Sequence, residues 1–196
     1  MKKSLIFIGA AGLIATIIIS CNQQQAQQAQ AGTEISKDSL ISRGAYLVSV
    51  IGCGDCHSPK IMGPHGPMPD PEKLLSGHPA DMPLPKVDTI ALRSWALFNP
   101  TQTAVAGPWG VSFAANLTSD STGIGSWTEE QFKRAFTQGK YKGLEAGRPL
   151  LPPMPVMNYA TMKEEDVKAI FAYLKSTKPV KNVVPTAIPP TQLGKL

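Results

Sequence analysis

The chain has 196 residues, 42% of them hydrophobic and 17% charged, enough for one ordinary domain with a core and some length to spare. Its formal charge is +5, but removing Lys2 and Lys3 with a leader leaves 17 of the 19 basic residues against 14 acidic ones, or +3. So small and dispersed an excess excludes a nucleic-acid footprint, and 17 glycines with 18 prolines point to much loop and little long regular structure.

The amino terminus reads as an address. Met1-Lys2-Lys3 is a short positive segment, and Leu5 to Ile19 follows as an apolar run without a charge. That run is about three-quarters of the roughly 20 residues needed to span a bilayer, which fits a secretory signal better than a transmembrane helix. It ends in Ile18-Ile19-Ser20-Cys21, which resembles a bacterial lipoprotein processing box. The resemblance implies a diacylglyceryl thioether on Cys21, cleavage before it, and acylation of the new amino terminus. Several chains on one residue exceed the two signals that stable anchoring requires. Residues 1–20 are thus expected to be a lipoprotein signal peptide. Residues 21–36, Gln- and Ala-rich without apolar periodicity, are expected to tether the chain to a membrane on its extracytoplasmic, periplasmic side.

A first helix is expected from Leu40, Ile41, Ala45 and Val48, which share one face, with an end near Gly52. Directly after it stands Cys53-Gly54-Asp55-Cys56-His57. The C-x-x-C-H order marks covalent attachment of a c-type haem. Two thiols three residues apart reach the two vinyl groups on one porphyrin edge, and the adjacent imidazole supplies the proximal iron ligand. With Cys21 lipidated, all three cysteines of an exported chain then end as thioethers and no odd thiol remains. Two other readings fit less well. A thiol–disulfide exchange site needs a strand before the motif and a helix after it, whereas Pro59, Gly63, Pro64, Gly66 and Pro67 forbid a continuing helix. Zinc would need a second ligand pair, and only His65 and His78 are left to supply it.

From Ser58 to Pro108 the pattern thins into about fifty Pro- and Gly-rich residues. A structureless loop of that length is unusual inside a compact domain. It is expected to wrap over the haem edge; the alternatives are short elements, such as Thr89 to Leu97, or a partner surface. A middle helix opens at Thr128 with Gln131 as a capping box, runs through Phe132, Ala135 and Phe136, and stops at Gly139. Thr161 with Glu164 reads as a second box before a last helix, in which Val167, Ile170, Phe171 and Leu174 form an apolar stripe.

Six methionines, Met62, Met68, Met82, Met154, Met157 and Met162, compete for the sixth coordination position. Met154 is preferred, because Pro152, Pro153 and Pro155 stiffen its loop and because it lies far enough along the chain to reach the distal face. Met157 is next. His78, in Gly77-His78-Pro79, would give bis-histidine ligation, but its polar, Pro-rich setting reads as surface.

Several stretches together resemble class I c-type cytochromes, and more narrowly the cytochrome c domains of membrane-bound alcohol and aldehyde dehydrogenases. They are Arg43 to Val48 with Gly52 to His57, Asn116 to Asp120 with Gly123 to Thr128, Pro152 to Pro155, and Asp166 to Leu174. The resemblance implies an all-α cytochrome c fold over residues 37–186, about four helices around one haem, followed by a tail at 187–196. It implies His57 and Met154 as axial ligands, and Asn116 and Trp127 near the haem or its propionates. It also implies that the first and last helices cross in contact, with Gly44 permitting close approach to Tyr173 or Leu174. With both axial positions filled, the iron favours outer-sphere electron transfer over ligand chemistry. The expected chain is therefore an electron carrier rather than an enzyme. Its expected partners are redox proteins: a dehydrogenase, a quinol-oxidising complex or a terminal oxidase.

Overall fold

The computed structural model describes residues 36–195. The expected signal peptide, Cys21 and all but the last residue of the expected tether lie outside the described residues. Helix α1 (Lys37–Ile51) stops at Gly52, whose left-handed φ of 77° a side chain would resist, and the short helix α2 (Cys53–His57) follows at once. Strands β1 (Lys60–Gly63) and β2 (Gly66–Pro69) form an antiparallel hairpin with Ile61 opposite Met68. Strands β3 (Leu97–Phe98), β4 (Ala104–Gly107) and β5 (Gly110–Phe113) form a second antiparallel sheet in that order. Helices α3 (Glu129–Gln138), α4 (Val156–Tyr159) and α5 (Glu164–Ser176) complete the order.

The all-α expectation is therefore corrected: the chain is mixed, with five strands in two antiparallel sheets among its described residues. The strands are two to four residues long, too short for alternation to show. Their hairpins turn between Gly63 and Gly66 and between Gly107 and Gly110, at Pro64-His65 and Pro108-Trp109, which a sequence reading takes for loop. The long stretch after the motif does contain short elements. Its Leu75, Ser76 and His78 are buried, so part of it belongs to the interior.

The helical half follows the periodicity. Thr128 Oγ1 accepts from the Gln131 amide at 3.1 Å, and α3 ends at Gly139 with φ 64°. The Gln131 side chain does not close the box; it donates to the Lys142 carbonyl at 2.8 Å. The second box does not form. Helix α5 starts after Lys163 without a side-chain cap, and the Thr161 hydroxyl donates to Asn158 O instead. Glu164, Glu165 and Asp166 in its first turn complement the positive end of the helix.

Val48 of α1, Phe132 and Phe136 of α3, and Val167, Ile170 and Leu174 of α5 form the main apolar cluster with Leu75 and Ile124. A second cluster joins Leu92 to Ala104, Ala106 and Val111 of the three-stranded sheet. The C-terminal segment reaches that sheet: Val111 and Ile188 exchange both backbone hydrogen bonds, at 2.8 and 3.0 Å, and Leu193 is buried in the same cluster.

Candidate haem-binding site

Helix α2 carries Cys53, Cys56 and His57 in a little over one turn, and both thiols are free and half-buried. Cys53 packs against the main apolar cluster. His57 Nδ1 lies 2.7 Å from the Ala115 carbonyl oxygen. A carbonyl only accepts, so Nδ1 carries the proton and the neutral ring has its lone pair at Nε2. This is the arrangement that orients a metal-ligating imidazole. The rest of α2 is held in place by its neighbours. Gly77 N donates to His57 O at 2.8 Å, Leu75 N donates to Ser58 Oγ at 2.9 Å, and Lys60 Nζ donates to the Asp55 and Ser58 carbonyls at 2.7 Å each.

Burial pushes the Cys53 thiol up to about 11, raises that of Cys56, and pulls His57 below the usual imidazole range. Exchange thiols work through a depressed pKa. The direction here is the opposite one, which counts against the disulfide-exchange reading.

Met154 is half-buried and packs against the same cluster as Cys53. Its loop is fixed to the sheet by the Ser112 hydroxyl, which donates to Pro152 O at 2.6 Å; the Pro152–Pro153 peptide is cis. The other methionines separate by environment. Met157 is 82% exposed and Met62 79% exposed. Met68 is also exposed, and the Met82 sulfur accepts from Asn99 Nδ2 at 3.7 Å and Thr101 Oγ1 at 3.6 Å. Met162 packs on the main cluster.

Trp127 packs on that cluster as well, as do Cys53 and Met154. Asn116 is buried, and its amide is engaged within the chain. Nδ2 donates to Val180 O at 2.8 Å and Asn182 O at 3.3 Å, while Oδ1 accepts from the amide and hydroxyl of Thr118. Asn116 thereby stitches the segment bearing Ala115 to the chain after α5. His78 is fully buried, which corrects its reading as a surface residue. Its Nδ1 pairs with Thr103 Oγ1 at 2.8 Å and its ring lies 4.8 Å from that of Phe113, a residue of the second cluster. The sequence reading missed Tyr159. It stacks on Phe136 at 4.4 Å, and its phenol is raised first by burial and then by the charges of Cys53 and Cys56. A four-residue helix offers no periodicity by which to find it.

No family model matches the chain. Similarity to individual curated proteins is clear. The gluconate 2-dehydrogenase cytochrome c subunit of Pantoea cypripedii is 30% identical over 139 residues, 70% of this chain and 23% of the relative. The fructose dehydrogenase cytochrome subunit of Gluconobacter japonicus is 27% identical over 175 residues, 88% of this chain and 29% of the relative. The alcohol dehydrogenase (quinone) cytochrome c subunit of Gluconobacter oxydans is 25% identical over 182 residues, 92% of this chain and 28% of the relative. This chain is a homologue of dehydrogenase cytochrome c subunits. It spans about a quarter of the length of these relatives. The relationship implies a haem c cofactor. The residues of α2 fit one, since they offer two free thiols and, from the next residue, an imidazole whose Nε2 lone pair is left available by the Ala115 contact.

Proposed function

We propose that this chain is a mono-haem electron-transfer protein, held at the outer face of a membrane through lipid on Cys21, that passes electrons between a dehydrogenase and a second redox partner. Cys53 and Cys56 would hold the haem covalently, and His57 and Met154 would close its two axial positions. The observation that carries the reading is the His57 Nδ1 contact with the Ala115 carbonyl, which aims a neutral Nε2 from the residue that completes the two-thiol motif. The haem supplies reversible one-electron chemistry when bound. The chain supplies the rest. Ala115 fixes the ring tautomer, and Ser112 fixes the loop that presents Met154. A thioether favours ferrous iron over a second imidazole and raises the potential. Trp127 and Tyr159 pack on the same apolar cluster as Cys53 and would limit solvent access to the haem.

The test is an absorption spectrum, oxidised and reduced, of chain matured with the haem-attachment machinery, together with a covalent-haem stain on a denaturing gel. Low-spin bands with the weak far-red feature of methionine-ligated ferric haem are expected, and loss of all haem absorption would sink the reading. Release of the chain from membranes by Cys21→Ala tests the anchor separately.

A further inference from the structure

We infer that the surface beside the Met154 loop docks an acidic face of the redox partner, an inference that rests on the electron-transfer reading above. The chain after α3 folds back on itself. Tyr141 N donates to Arg148 O at 2.9 Å and Leu150 N to Gly139 O at 2.7 Å. Helix α4 closes on the same place, since a β-carbon on Gly139 would meet Val156 Cγ1 at 2.9 Å. Leu144 and Met157, on these neighbouring segments, are 54% and 82% exposed. They are flanked by positive charge. Lys142 Nζ and the Arg148 guanidinium lie 5.7 and 4.1 Å from the centroid of the Tyr141 ring, which holds both side chains in place.

That charge is uncompensated. Glu145, the one carboxylate between Gly139 and Pro155, pairs with Arg134 at 3.5 Å. The ion pairs among the described residues use none of Lys140, Lys142 and Arg148. An exposed methionine and a ring-stacked arginine are residue types enriched in protein interfaces. Clustered like charge steers encounter with a partner of opposite sign. A symmetric contact between two copies of this chain would set these cations against themselves. A protein is favoured over an anionic lipid surface because exposed Met157 follows Met154, the proposed axial ligand, by three residues, which places the patch next to the proposed redox site.

The experiment uses the full haem-loaded chain at low ionic strength, with an acidic blue-copper protein and ferricyanide as oxidants in stopped flow. Lys142→Glu with Arg148→Glu is expected to slow both reactions about tenfold and to flatten their salt dependence. Lys86→Glu with Arg93→Glu, which makes the same change in net charge elsewhere, is expected to change them by about twofold or less. Leu144→Ser with Met157→Ser is expected to slow the copper protein and to leave ferricyanide unchanged. Equal slowing by both charge-reversed pairs overturns the docking surface. So does sedimentation with phosphatidylglycerol vesicles that is lost in Lys142→Glu with Arg148→Glu while the copper-protein rate is unchanged. A chain with no haem bands overturns the electron-transfer reading together with this one, whereas normal haem bands with either preceding result overturn the docking surface only.

Discussion

Gly44 of α1 lies against Ala169 of α5 with no room for a side chain between them. A β-carbon at Gly44 would fall on the Ala169 carbonyl and 2.7 Å from Cβ of Tyr173. Glycine inside a helix costs about 1 kcal/mol relative to alanine, so the close crossing has to return more than that. Arg43 adds an ion pair to Asp166 at the same crossing, with Nε donating to Oδ1 at 2.6 Å. Because α2 follows α1 directly, the crossing also fixes where Cys53, Cys56 and His57 lie relative to α5. Gly44→Val is expected to destabilise the haem-loaded chain by about 3 kcal/mol in denaturant unfolding. A loss below about 1 kcal/mol would mean that the helices are not in this contact in solution.

Helices α1, α3 and α5 were legible because their apolar residues recur at helical spacing, from Leu40 to Val48, Phe132 to Phe136 and Val167 to Leu174. Thr128 and Gly139 marked a start and a stop for hydrogen-bonding and steric reasons that act locally, whereas the crossing at Gly44 was implied by the resemblance to class I cytochromes. The sheets were not legible, because four-residue strands closed by glycine and proline carry the composition of loops. His78 and Asn116 show the limit most clearly. Both are buried by partners more than twenty residues away, Thr103 for one and Val180 for the other, and no local pattern encodes such pairing. The C-x-x-C-H motif was readable because its chemistry is confined to five consecutive residues. The preference for Met154 over Met157 rested on flanking prolines, and the two differ in the fold by burial.

Ser112→Ala removes the hydroxyl that ties Pro152 to β5. A neutral hydrogen bond contributes about 1 kcal/mol, so opening of the Met154 loop is expected to become about fivefold more frequent. In the haem-loaded chain this is expected to appear as about fivefold tighter binding of added imidazole, with the resting spectrum unchanged. Imidazole binding identical to that of the parent chain would show that this bond does not hold the loop.

The raised thiols give a pH dependence to the haem-free chain. Cys53 keeps its proton up to about 11 when folded, above the ordinary thiol value near 8.5. The folded state therefore holds a proton that the unfolded state releases between those two values. The stabilisation is fully present below the unfolded pKa and is lost as pH rises through about 11, a contribution of about 3 kcal/mol. Since the thiolate is the nucleophile, alkylation of Cys53 by iodoacetamide is expected to rise about tenfold per pH unit well past pH 9. Mass spectrometry of the modified cysteine measures this, and a rate that levels off near pH 8.5 would show that the thiol is not buried.

Met154→Ala is expected to leave the haem attached, because the attachment proposed through Cys53 and Cys56 does not involve the thioether of Met154. It is expected to lower the reduction potential and to open the iron to carbon monoxide, since a thioether favours the ferrous state. Met157→Ala is the matched control: its side chain is 82% exposed, and neither spectrum nor potential should move. The comparison also separates Met154 from Met162, the other methionine packed on the cluster that holds Cys53. An unchanged far-red band in Met154→Ala, lost instead in Met162→Ala, would transfer the ligand to the start of α5 and leave the Ser112 contact as a purely structural tie. Loss of the band in Met154→Ala alone would assign the ligand to the proline-rich loop that β5 holds in place.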